Sequence, residues 1–267
     1  MNGMSPMTEV PTIAPDHTRA PIGLIVPPAS GAIPPDAPLV YPGIEFIARG
    51  LGLVDLSHDG YSGVVGSIGD AAVELVRQGA GSVALMGTSL SFFRGIAFNA
   101  ELEHEIASRT GRPSVTMSTG IVAACAALDM RRLAVATAYE DAVNDKLREY
   151  LAAAGLETVS LEHLGIGTVD EVHRVPEDVV TELGRRAYRA GQGVDGILIS
   201  CGGLATRAAV RVLEAETGLP VVTSPLAGLW AAVVNAGYDP RAEDHGRLFQ
   251  ASLPDAPPGR RHAAHSE

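Results

Sequence analysis

The stretch GILISCGGL, residues 196–204, decides the fold. Its apolar run Ile197-Leu198-Ile199 has no polar alternation. Such a strand is covered on both faces, as in a parallel sheet flanked by helices. The run then breaks at Ser200-Cys201-Gly202-Gly203, which puts a thiol at a strand end with two glycines behind it. Working outward, similar strands read at 22–26 (IGLIV), 82–87 (SVALMG), 114–118 (SVTMS), 132–137 (RLAVAT) and 220–224 (PVVTS). Helical patterns such as SIGDAAVELVRQGA and YEDAVNDKLREYLAAAG separate them, each closing near a glycine. Strand alternating with helix predicts an α/β fold with right-handed crossovers.

The pattern repeats. TGRPSVTMSTGIVAACAAL (110–128) resembles TGLPVVTSPLAGLWAAV (217–233), with the Thr-Gly pairs 107 residues apart. ALMGTSL (84–90) pairs with LISCGGL (198–204), and IGLIVPP (22–28) with RLAVATAY (132–139). Three pairs in one order predict two pseudo-symmetric Rossmann-like halves, each a parallel sheet flanked by helices, with the site in the cleft between them. The expected divisions are a disordered tail over 1–20, a first half over 21–128, and a second over 129–233. A segment over 234–250 is expected to pack on the first half, and 251–267 to form a disordered tail.

Composition excludes several classes. The 267 residues are 46% hydrophobic and carry a formal net charge of −11, which argues against a nucleic-acid partner. Lys146 is the only lysine, so Schiff-base chemistry and lysine-dependent phosphate loops have little to work with. Two cysteines make no disulfide framework and point to the reducing cytoplasm. Neither a signal peptide nor a membrane span is read. No clustered ligand set suggests a metal, no GxGxxG follows a strand, and no GxSxG supports a hydrolase.

The strand ends carry the candidate chemistry. Cys201 reads as a functional thiol at a strand-to-helix junction, whose free amides could bind an anion. Cys125, inside IVAACAAL, reads as a buried hydrophobe. Gly87-Thr88-Ser89 occupies the place matching Cys201 in the first half, and its hydroxyls could hold a carboxylate. Tyr139 ends another strand and offers an exposed phenol donor. His58, His104, His163 and His173 fall outside the strand ends and read as solvated or structural.

These motifs resemble the aspartate/glutamate racemase superfamily, and within it the arylmalonate decarboxylases. The resemblance rests on GLIVPP, FIARGLGL, LMGTSLSFFRGIAFNA, TMSTG, ATAYEDAVN, DGILISCGG and LAGLW, and it spans about residues 21–250. Racemases of the superfamily place one cysteine in each half. Here Cys201 stands alone, facing Gly87. Glycine moves no proton, so two-base racemisation is disfavoured and one-sided protonation remains.

The resemblance implies a cofactor-independent carboxy-lyase acting on small disubstituted malonates. One carboxylate is held by Thr88, Ser89, Tyr139 and the amides near Cys201 and Gly202. Loss of the other as CO2 leaves an enediolate, which Cys201 protonates on one face. Pro27, Pro28, Leu53, Leu56, Tyr61, Leu90, Val169 and Val172 match the apolar pocket. Leu56 and Val172 depart in size from the commonest choice, which leaves the accepted substituents open. The alternatives are a maleate cis–trans isomerase, an amino-acid or hydantoin racemase-like enzyme, or a non-catalytic carboxylate binder. A monomer is the default expectation.

Overall fold

Ile22–Val26 is buried at all five positions and forms the second strand of a parallel sheet. The computed structural model describes residues 19–251. The tails expected at 1–20 and 251–267 lie outside the described residues, apart from Arg19, Ala20 and Ala251.

The first sheet contains β1 (Ile22–Val26), β2 (Phe46–Gly50), β3 (Ser82–Leu85) and β4 (Ser114–Thr116), in the order β2-β1-β3-β4. The second contains β5 (Arg132–Thr137), β6 (Glu157–His163), β7 (Gly196–Ser200) and β8 (Val221–Thr223), in the matching order β6-β5-β7-β8. Every pairing is parallel. The fold is the expected pair of α/β halves.

The first half also holds α1 (Asp36–Val40), α2 (His58–Val65), α3 (Ile68–Arg77), α4 (Thr88–Phe92), α5 (Ile96–Thr110) and α6 (Met117–Ala127). The second holds α7 (Asp141–Ala153), α8 (Val169–Val172), α9 (Glu177–Ala190), α10 (Arg207–Thr217) and α11 (Ser224–Asn235). The strands read as SVTMS and PVVTS are shorter than expected. Met117 and Ser224 already begin helices, with Thr116 capping α6 by accepting from the Thr119 amide.

The equivalent helices α6 and α11 pack against each other and join the halves. Their approach is close: a Cβ on Gly120 would lie 2.8 Å from the Ala227 carbonyl oxygen and 2.9 Å from Ala231 Cβ. A second seam comes from loops. Asp55 and Thr168 form an antiparallel bridge, with Leu56 N–H donating to Gly167 O at 2.7 Å and Val169 N–H to Val54 O at 2.9 Å.

The 234–250 segment packs on both halves, not on the first alone. Tyr41 Oη donates to Pro240 O at 2.9 Å, and the Tyr41 and Phe249 rings are 6.0 Å apart. On the other side the Arg247 amide donates to the Glu214 carboxylate at 3.2 Å. A buried phenol on α1's C-terminal side and a carboxylate on α10 both offer partners, so the segment spans the gap. Among the described residues no helix is long and apolar enough to cross a membrane, and no group of three His, Cys, Asp or Glu could hold a metal ion.

Candidate active site

In each half the third strand ends at the cleft. β3 leads through Met86 to Gly87, and β7 leads directly to Cys201. The two ends face each other: a Cβ on Gly202 would sit 3.3 Å from the Met86 carbonyl oxygen. Gly87 has φ −124° and ψ 101°, ordinary for any residue. A Cβ there would meet Leu90 Cβ at 3.2 Å and Pro27 Cγ at 3.4 Å. Backbone conformation therefore does not demand glycine at 87.

Cys201 does not stand at a helix start. Residues 202–204 turn, with Leu204 N–H donating to Cys201 O at 3.3 Å, and α10 begins only at Arg207. The free amides near the thiol belong to this turn. The Cys201 amide itself is engaged by Ser224 Oγ at 3.2 Å. The paired glycines have a packing reason. A Cβ on Gly202 would press on Met117 Sδ at 3.1 Å, and one on Gly203 would press on Val172 and on His173 Nε2 at 3.0 Å.

Burial pushes the Cys201 thiol up to about 11, although the Gly203 amide and the Tyr139 hydroxyl pull the other way. The group is thus a protonated thiol at neutral pH. Cys125, on the buried side of α6, is pushed up to about 12 by burial alone, as suits a core residue.

α4 is fixed from below. The Ser91 and Ser118 hydroxyls share a hydrogen bond at 2.6 Å, and whichever of them accepts it can donate to Thr88 O, at 2.9 Å from Ser91 Oγ and 3.1 Å from Ser118 Oγ. Thr88 Oγ1 donates to Met117 Sδ at 2.7 Å, a weak acceptor from which the hydroxyl is easily won.

Thr88, Ser89, Leu90, Cys201 and Gly202 line a cavity of about 960 Å³ with Gly87 between them. Pro27, Pro28, Leu53 and Leu56 form one apolar wall, and Val169 and Val172 another. Tyr61 and Tyr139 do not line it. Tyr139 is fully buried rather than exposed, its ring edge-on to Phe92 at 5.9 Å. Its hydroxyl abuts Cys201, Thr88 and Ser200. The Tyr61 hydroxyl lies beside Ser89. Yet the hydroxyls of Tyr61, Tyr139 and Ser200 are all buried and complete no regular hydrogen bond. Each such group costs about 1–3 kcal/mol unless a partner arrives.

Residues that the sequence did not place in the pocket also border the cavity. Met117 stands between Thr88 and Gly202, where its place at the start of α6 puts it at a strand end like the others. His173 is not merely solvated or structural: it lines the cavity over Gly203. Its neighbour Val172, already matched to the pocket, was the available signal. Asp36, Asp170, Glu177 and Arg207 form the polar mouth.

A family model described as arylmalonate decarboxylase matches residues 22–249. The chain is 47% identical over 232 residues to the arylmalonate decarboxylase of Bordetella bronchiseptica, a match that covers 86% of this chain and 97% of that one. It superposes with TM-score 0.85 and 45% identity on a liganded arylmalonate decarboxylase in which a glycine is changed to cysteine and a cysteine to serine, covering 86% of this chain and 98% of that chain. A maleate isomerase from Pseudomonas putida S16 shares the fold, with TM-score 0.79 at 18% identity over 86% of this chain and 98% of its own. The chain belongs to the arylmalonate decarboxylase family.

Proposed function

We propose that the chain decarboxylates disubstituted malonates, aryl-bearing ones among them, to chiral monocarboxylic acids, without a cofactor. One carboxylate docks on the Thr88 and Ser89 hydroxyls and the Gly202 amide, backed by the Tyr139 hydroxyl that abuts Thr88 and Cys201. The other lies against the apolar walls, where it is poorly solvated. Breaking its C–C bond releases CO2 and leaves the electron pair in an enediolate on the docked side. The same donors meet the charge that develops there, and each is worth about 3 kcal/mol in such a role. Cys201 Sγ–H then gives its proton to the planar carbon from one face, and the resulting thiolate takes a proton from water.

The observation that carries this reading is the group of unpartnered buried hydroxyls of Tyr61, Tyr139 and Ser200 gathered around one protonated thiol. Donors without acceptors suit a site whose acceptor is the reacting anion. Glycine at 87 leaves no second thiol for the two-base chemistry of a racemase. Two free buried cysteines fit a reducing compartment such as the cytoplasm.

The test is CO2 release from phenylmalonate and methyl-phenylmalonate by the purified protein beside Cys201→Ala. Turnover by the parent and its near abolition in the variant is expected. Equal turnover by both would overturn the role of Cys201. Tight binding without turnover in both would favour a carboxylate-binding protein.

A further inference from the structure

The proposed reaction brings a dianion to a chain of formal net charge −11. The mouth of the cavity is itself acidic, bordered by Asp36, Asp170 and Glu177. These charges oppose the approach of a malonate.

Among the described residues, Arg207 is the one arginine or lysine that lines the cavity. It is the first residue of α10, in the second half. Its Nε stands 3.5 Å from Asp36 Oδ1 on α1, in the first half. The pair therefore spans the mouth. The Asp36 side chain is 16% exposed and that of Arg207 37%, so the cation is the more accessible member of the pair. Their approach at 3.5 Å is long, unlike the short two-pronged pairing an arginine makes when its donors are committed. Burial opposes the ionisation of Asp36 most, Arg207 favours it, and Glu177 stands close enough to oppose it as well.

We infer that Arg207 is the capture residue for the substrate dianion: its guanidinium is shared loosely with Asp36 in the free protein and passes to an incoming carboxylate before the malonate moves inward to Thr88 and Ser89. This rests on the proposed decarboxylation. Arg207 acts on association and leaves the chemical step alone. A latch that merely ties the two halves together would need both partners equally. Capture treats them oppositely, because Asp36 competes with the substrate for the guanidinium.

The experiment is kcat and kcat/KM for phenylmalonate, from low to high ionic strength, in the parent, Arg207→Gln and Asp36→Asn. Arg207→Gln is expected to lower kcat/KM about tenfold at low salt, with kcat within about twofold, and the gap should shrink as salt screens the charge. Asp36→Asn is expected to raise kcat/KM. A fall in kcat/KM of the same size in both variants, or a loss in Arg207→Gln indifferent to salt, would overturn the inference. If the parent turns over neither phenylmalonate nor methyl-phenylmalonate, the decarboxylase reading falls, and calorimetric binding of phenylmalonate against phenylacetate decides the capture role. Selective loss of dianion affinity in Arg207→Gln supports it, and unchanged affinity overturns it.

Discussion

At Cys201 two influences compete. Burial raises the thiol to about 11, and the Gly203 amide and Tyr139 hydroxyl lower it by less. The folded value lies above the ordinary 9.0, so the donating form persists past that pH. A pH profile of kcat should stay flat on the alkaline side through about 9 and fall toward about 11. A limb near 7 would mean an activated thiolate instead. The same shift makes the contribution of the buried neutral thiol to stability intact below 9.0 and lost as pH rises through about 11. Tyr139→Phe removes one buried donor and relieves one unpartnered hydroxyl. It should cut kcat about 10²–10³-fold while leaving thermal stability equal or slightly higher, as kinetics and melting would show. Cys201 and Gly87 were legible in the sequence because each follows the same strand of its half. Arg207, His173 and Asp36 were not. They come from separate helices and loops that meet only at the cleft mouth, and no periodicity marks that meeting.

Among the elements, the central strands were legible because β1, β3, β5 and β7 are apolar on both faces. The edge strands β2 and β6 escaped that criterion. Most of β2 and all interior positions of β6 are only partly buried, so FIARG and ETVSLEH mix polar and apolar residues without a clean pattern. The α6–α11 seam is legible only as two similar Ala-rich helices, each with one glycine. Their contact requires the folded halves. Gly120→Ala would drive a methyl into the Ala227 carbonyl and Ala231. It should cost about 1–3 kcal/mol in denaturant unfolding. Gly63→Ala in α2, with nothing within 4 Å, should instead gain about 0.5–1 kcal/mol. Equal effects of the two substitutions would mean that the seam yields freely.

For the whole molecule, the matching strand orders of the two sheets place Gly87 and Cys201 at equivalent ends on opposite sides of one cleft. The sequence repeat foresaw this, but not that the 234–250 segment would clasp both halves, since its partners Tyr41 and Glu214 lie far away in the chain. In the proposed mechanism the pseudo-symmetry would give protonation a handedness: a thiol at 201 would serve one face of the planar carbon, and a thiol at 87 the other. The space around Gly87 admits a side chain if Leu90 gives by a few tenths of an ångström. The most direct measurement is the enantiomeric composition of the acid formed from methyl-phenylmalonate by the parent and by Gly87→Cys/Cys201→Ser. If Cys201 delivers the proton, the parent gives one enantiomer in excess and the swapped variant gives the opposite one. The same enantiomer in excess from both would show that the proton does not come from Cys201.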